Sequence, residues 1–251
     1  WLVKFDRTPP IHSKTSHDIK GYRASHSAER RKLLKDFGLN IYRPKRPGSF
    51  WVRTTALGSY REVGRACHLV TTNESRVMID VGVNIASDTD PMPYFTAPEA
   101  LPMEKMDAVI LTHAHLDHAG MLPVLFRYGY RGPVYCTPPT RDMMLLLQSD
   151  YLKVGGAEGK RAPYDMEDIR TCMRHVVDVD WGQTVDIAPD MKLTFHNAGH
   201  ILGSSSVHLH VGDGKHNIVF SGDQKYEKSW LFDAANTRFP RCETLVIEST
   251  Y

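Results

Sequence analysis

The sequence predicts an α/β sandwich with at least one sheet rich in antiparallel pairs. Three observations predict it. From Phe50 onward short apolar runs separated by turn residues outnumber helical stretches. A Gly212-Asp213-Gly214 step between two such runs is a hairpin signal. Helical texture falls between other runs as crossovers, so hairpins and helical crossings are mixed. The chain has 251 residues, 41% of them hydrophobic and 24% charged, long enough for a core that needs no staples.

In chain order, residues 1–50 lack strand alternation and carry Pro9-Pro10, Pro44 and Pro47. Within them Ser27–Phe37 reads as a helix, with Ser27 as N-cap and Gly38 closing the C-terminus. Its Leu33, Leu34 and Phe37 make a short apolar stripe, so a docked arm is expected. Strands are expected at Phe50–Ala56, Ala66–Thr71, Arg76–Asp80, Ala108–Leu111, Val134–Cys136, Lys192–Asn197, Ser206–Val211, Asn217–Ser221 and Thr244–Ile247. Helices are expected at Gly120–Tyr128, Thr140–Val154 and Met166–Arg174. The domain division expected is an arm over residues 1–50 and one domain over 51–251.

Composition narrows the function classes. Nothing approaches 18 consecutive apolar residues, so no segment is expected to span a membrane. Cys67, Cys136, Cys172 and Cys242 show no CxxC spacing, which argues against a zinc ribbon or a disulfide framework and for a reducing, cytoplasmic setting. Trp1 in place of Met, with no signal-peptide pattern, reads as a start inside a longer protein or after processing. Residues 1–50 carry a charge of +8 and the remainder −6. Such an arm can meet phosphates through Lys and Arg, or can be a solvated linker helix.

The strongest motif is Thr112-His113-Ala114-His115-Leu116-Asp117-His118, between an apolar strand and a helix. A strand-to-helix loop can turn ligand-type side chains toward one point, which a straight strand or helix cannot do. Imidazole and carboxylate suit Zn²⁺, and this density can serve two ions. His200 lies in a loop just past a strand, and Asp223 follows a strand end where a carboxylate could bridge two metals. Asp80 ends a strand ahead of Gly82 and could orient a ligand histidine from behind. Each has a plain structural reading as well: a turn histidine, a turn cap, a strand-end carboxylate. His208 and His210 alternate on one strand with no further ligand beside them in sequence, so a structural role is expected. His12, His17, His26, His68, His175, His196 and His216 read as core or surface residues.

The order Asp80, His113-x-His115-x-Asp117-His118, His200, Asp223 is similar to motifs 1 to 4 of the metallo-β-lactamase superfamily. Leu57-Gly58-Ser59-Tyr60-Arg61-Glu62-Val63-Gly64-Arg65 resembles the opening signature of its β-CASP ribonucleases. Phe220-Ser221-Gly222-Asp223-Gln224-Lys225-Tyr226 and Ile247-Glu248-Ser249-Thr250-Tyr251 resemble their fourth motif and motif A. The glutamate in motif A matches the RNA-processing branch. The whole chain, with its Thr8-Pro9-Pro10-Ile11 arm, resembles archaeal homologues of the nuclease subunit of the cleavage and polyadenylation specificity factor. Ser59 and Ser221 depart from the usual Gly and Thr, and neither is a ligand position.

The resemblance implies the N-terminal part of an αββα sandwich, with KH domains before Trp1 and the β-CASP and C-terminal parts, including two further histidines, after Tyr251. It implies two zinc ions, one on His113, His115 and His200, the other on Asp117 and His118, with Asp223 bridging. Asp117, Asp80 and Glu248 would serve catalysis, Glu248 by orienting a histidine of the missing part. The implied activity is hydrolysis of single-stranded RNA, endonucleolytic and also 5′–3′ exonucleolytic, in 3′-end formation or transcription termination. Implied partners are RNA, RNA polymerase or other processing factors, and a second copy bound through C-terminal segments. Trp1, Tyr22 and Tyr42 are available to stack bases or to pack the arm onto the body. The competing readings are a silent RNA-binding scaffold and a small-molecule hydrolase. A silent member would be expected to have lost ligands, and a small-molecule hydrolase needs neither the basic arm nor Glu248.

Overall fold

The computed structural model describes residues 19–249 apart from 88, 158, 160 and 161. Trp1, His12, His17, the Thr8–Ile11 stretch and the Thr250-Tyr251 end of the last motif therefore lie outside the described residues. Strands β1 (Val52–Gly58), β2 (Cys67–Thr72), β3 (Arg76–Ile79), β4 (Ala108–Ile110), β5 (Val134–Cys136) and β6 (Val176–Asp178) form one sheet in that order. The first three pair antiparallel and the rest parallel. Strands β7 (Thr184–Ala188), β8 (Met191–Asn197), β9 (Ser205–Val211), β10 (His216–Phe220) and β11 (Thr244–Val246) form the second, ordered β11-β10-β9-β8-β7. It is antiparallel except for the β10–β11 pair.

Val77, Ile79, Ala108 and Ile110 point toward Leu193, Phe195, Val207, Leu209, Ile218 and Phe220 of the second sheet and close the inter-sheet core. Met78, Val109 and Leu111 point the other way, into a core shared with the helices. β3 and β4 are thus buried on both faces, which is why they read as unbroken apolar runs. The helices are α1 (Ser27–Ile41), α2 (Leu116–Ala119), α3 (Leu122–Arg127), α4 (Pro138–Ala157) and α5 (Met166–His175). Leu122, Leu125, Phe126, Met144, Ile169 and Met173 cover the first sheet. The layers are helices, sheet and sheet. Among the described residues no helix follows β7, and Phe239 of the 229–241 segment packs on His196 and His208 over the second sheet's outer face. No described helix is long and apolar enough to cross a membrane.

Several boundaries differ from expectation, for tertiary reasons. α1 does not stop at Gly38 but runs to Ile41, because Asn40 and Arg43 are tied to the buried Asp107 (3.0 and 2.7 Å). Ser27 is not its cap, since the backbone is already helical at 19–25 and His26 N–H bonds to Tyr22 O (3.2 Å). The helix expected at Gly120–Tyr128 is α3 (Leu122–Arg127), and the turn of helix α2 (Leu116–Ala119) ahead of it, separated from it at Gly120 and Met121, is an addition. The N–H groups of Val81, Val83 and Met121 bond to His118 O, Leu116 O and Val81 O, binding the chain to the end of β3 before α3 begins. β6 and β7 were not foreseen. Each depends on a sheet neighbour, β5 for one and β8 for the other.

Part of the arm's charge is spent on the body. Arg23 pairs with Asp178 (2.8 Å), and Arg30 donates to Arg174 O (2.7 Å). Arg31, Lys32 and Lys35 stay exposed. Of the two alternatives for Tyr22 the structure shows packing: it lies against the helical core and its hydroxyl is held by Arg174, so it docks the arm. Tyr42 is 74% exposed, with its hydroxyl on Asp186 (3.2 Å).

Candidate metal centre

Loops at one end of the two sheets carry the site. After β4 the chain must leave the sheet, and residues 112–118 do so while stitched to their neighbours. Ala66 N–H donates to Asp117 O (2.8 Å), and Ser205 N–H donates to Thr112 O (2.8 Å), which fastens the His200 loop to the His113 loop. Two glycines permit this approach. A Cβ on Gly82 would sit 1.6 Å from Asp117 O, and one on Gly222 (φ 56°) would sit 2.8 Å from Thr112 Cβ. Ser204 completes the His200 loop by accepting from the N–H groups of His200 and Ile201 (3.1 Å each).

The consequence is convergence. His115 Nδ1 lies 3.1 Å from His113 Nε2 and 3.2 Å from His200 Nε2. Asp223 Oδ2 is 3.5 Å from His200 Nε2 and 3.8 Å from His113 Nε2. The other oxygen, Oδ1, lies 3.1 Å from His118 Nε2, which is in turn 3.8 Å from Asp117 Oδ2. Two groups result, His113, His115, His200 and Asp223, and Asp117, His118 and Asp223, each with its ligand atoms within 4.8 Å of one another. Asp223 belongs to both.

Asp80 stands behind His118, its Oδ2 2.8 Å from Nδ1. It also accepts from Thr112 N–H and Thr112 Oγ1 (2.8 Å each). It does so from a left-handed backbone (φ 59°), a strain that persists because these bonds over-determine it. Thr112 is the residue that sequence reasoning passed over. Its hydroxyl also lies 3.0 Å from His113 Nδ1, so one side chain braces both groups. The signal was its place immediately before His113, but a hydroxyl there does not reveal which carboxylate it will meet.

Electrostatics follow from this packing. Burial, helped by His118, His115 and His200, holds His113 well below the ordinary histidine range. Burial and His200 also lower His115, against Asp117 and Asp223. Burial works the same way on His118, but Asp80 and Asp223 outweigh it and raise this imidazole well above its usual range. Burial raises Asp223, yet the hydrogen bond and charge of His118 prevail and its carboxyl titrates lower than usual. The carboxylates of Asp80 and Asp223 therefore favour a positive charge at His118, while burial disfavours one at His113 and His115.

Glu248 lines the same cavity but its carboxylate accepts from Gln224 N–H, while its own N–H donates to Ser221 Oγ (3.0 Å). It thus holds the turn that carries Asp223. His208 and His210 lie elsewhere, on the second sheet's outer face, and none of the four cysteines enters the cluster.

Residues 69–245 match the family model described as the metallo-beta-lactamase superfamily domain. A transcription termination factor FttA of Methanosarcina mazei is 53% identical over 251 residues, which is 100% of this chain and 39% of the relative. FttA of Thermococcus kodakarensis is 52% identical over 258 residues, 100% of this chain and 40% of the relative. The chain thus spans about two fifths of the length of the curated relatives it matches. Among solved structures, the metallo-beta-lactamase fold protein YhfI of Bacillus subtilis aligns with a TM-score of 0.44 at 20% identity, over 70% of this chain and 64% of that one. With more than half of its length matched by that model, the chain belongs to the metallo-beta-lactamase superfamily.

Proposed function

We propose that the full-length protein bearing this chain is a two-zinc ribonuclease acting on single-stranded RNA in 3′-end formation or transcription termination. The observation that carries the reading is the pair of ligand groups sharing Asp223. Around a tetrahedral zinc with Zn–N near 2.0–2.1 Å, ligand atoms lie roughly 3.3 Å apart. The separations of 3.1, 3.2, 3.5 and 3.8 Å among His113, His115, His200 and Asp223 fit such an ion. His113, His115 and His200 would hold one zinc, Asp117 and His118 the other, and Asp223 both. Bound there, zinc supplies Lewis acidity that polarises a phosphodiester and lets water act as nucleophile near neutral pH.

The chain's own residues do the rest. Asp80 takes the Nδ1–H of His118, so Nε2 is the atom turned to Asp223. Glu248 fixes Gln224 and with it the approach of Asp223. The exposed Arg31, Lys32 and Lys35 offer charge to a phosphate backbone. The relatives' name, transcription termination factor, supports RNA and the transcription machinery as partners.

The test uses zinc-loaded full-length protein and end-labelled single-stranded RNA, with His113→Ala/Asp223→Ala as control. Internal cuts that vanish in the variant and in chelator are expected. A fully zinc-loaded protein that leaves RNA intact would overturn the reading.

A further inference from the structure

The segment between β1 and β2 holds an unusual concentration of strained backbone. Ser59 (φ 67°), Arg61 (φ 62°) and Arg65 (φ 45°) are all left-handed, and Gly64 has φ 103°. Non-glycine residues in that region cost on the order of 1 kcal/mol or more each and persist only where their surroundings force them. Here the forcing contacts are explicit. The buried Arg65 donates to both carboxylate oxygens of Glu62 (2.7 and 3.1 Å), to Asp90 O and Met92 O (3.2 Å each) and to Tyr94 Oη (2.9 Å). It also pairs with the Asp90 carboxylate (2.5 Å). Glu62 accepts from Ser59 N–H (3.4 Å), and a Cβ on Gly58 would lie 2.1 Å from Arg65 O, so the loop closes on itself.

What this mount presents is Arg61. Its side chain is exposed and has no hydrogen-bond or ion-pair partner among the described residues. A turn alone would be served more cheaply by Gly or Asn at that φ. The loop lines a cavity of about 600 Å³ whose wall also includes Asp117, His118 and Asp223. A guanidinium is suited to a phosphate because it offers two parallel N–H donors in one plane.

We propose that Arg61 binds a phosphate of the RNA strand next to the bond being cut, with Arg65, Glu62 and Asp90 as the rigid mount that aims it. This rests on the ribonuclease reading above and adds a strand-binding residue outside the ligand set. Arg65 is then a positioning residue, since it reaches the substrate only through the loop.

The experiment compares zinc-loaded full-length protein with its Arg61→Gly and Arg61→Lys variants on single-stranded RNA and on bis(4-nitrophenyl) phosphate, which is too small to reach past the metal cluster. Glycine accepts the left-handed backbone without strain, so Arg61→Gly should melt no lower than the parent. The expected result is an RNA KM about tenfold higher at a kcat within about twofold. The plot of log kcat/KM against log salt should become shallower by about one. Hydrolysis of the small diester should stay within about twofold, and Arg61→Lys should recover the salt slope but only part of the KM. An unchanged KM and salt slope in Arg61→Gly, or equal losses on both substrates, overturns the assignment while leaving the ribonuclease intact. A parent protein that hydrolyses the small diester but not RNA overturns both.

Discussion

Among the described residues two clusters of histidines stand out, and ligand atoms converge in one of them. His113, His115 and His200 sit on loops past strand ends and His118 in the one-turn helix α2 that follows the first of them, so that their nitrogens converge toward Asp223. His196, His208 and His210 sit within β8 and β9, on the outer face of the second sheet. Their rings are neighbours, His208 and His210 at 4.2 Å and His196 and His208 at 5.7 Å between centroids. Yet among the described residues they form no group of converging ligand atoms. The pleat holds side chains side by side and nearly parallel, and no carboxylate faces them at ligand distance. Both ring nitrogens of His210 go to Asn217 and Thr194 (2.8 and 3.0 Å) and Nδ1 of His196 to Asn236 (3.0 Å), while Nε2 of His196 and of His208 is buried without a hydrogen-bond partner. Density of histidine is thus a poor guide to a metal, and attachment to a loop with a shared carboxylate is a better one.

The sharpest way to break this contrast is Asp223→Ala. Because Asp223 belongs to both groups, zinc measured by elemental analysis should fall from two ions per chain toward none, and RNA cleavage by at least about a thousandfold. Stoichiometric zinc in that variant would end the bridging assignment. Gly82→Ala comes next. Its Cβ would overlap Asp117 O, so the loop must move or the fold must yield, at about 3 kcal/mol or more in chemical denaturation.

Asp80→Asn should be milder. It leaves a partner on His118 but removes the charge, and affinity for the ion held by Asp117 and His118 should weaken about 10–100-fold in competition with a chelator, with the other ion retained. The smallest effect at neutral pH is expected on the other side of the comparison. His208→Gln should keep both zinc ions and change stability by no more than about 1 kcal/mol at pH 7.

Acidification then separates His208 from its variant. Burial, with His210 and His196 nearby, pushes the His208 imidazole down to about 4, below its ordinary value of 6.5. The folded state therefore takes up its proton later than the unfolded chain. The stability it contributes is complete above about pH 6.5 and is lost as pH falls toward 4. Denaturation midpoints followed over that window should fall less steeply in His208→Gln than in the parent. Equal slopes would show that His208 is not buried neutral.

How far the sequence carried can be judged residue by residue. The run from His113 to His118 was legible because its ligand types are contiguous, and contiguity on a loop already implies proximity. His200 and Asp223 were legible as strand-end residues, but each kept a plain reading as a turn residue until its distance to His115 or His118 was known. Asp80 was legible as a strand end that could orient a ligand histidine, but which histidine depends on its meeting Thr112 and His118, 32 and 38 positions away. Gly38 was misread as a helix stop, since nothing local announces that Asn40 and Arg43 will be anchored by Asp107. For Tyr22 stacking and packing stayed open, because its partner Arg174 is 152 positions distant.

By itself, then, the sequence determined the kinds of ligands, their order, the strands that end at them and the two-faced burial of β3 and β4. These depend on local backbone preference and on short-range patterning of apolar residues. The tertiary structure decided that one carboxylate serves both groups of ligands, that Glu248 grips Gln224, and that Arg65 ties its loop to Glu62, Asp90, Met92 and Tyr94. Those outcomes depend on distances through space between segments far apart in the chain, and such distances are set only when both sheets and the helices pack together.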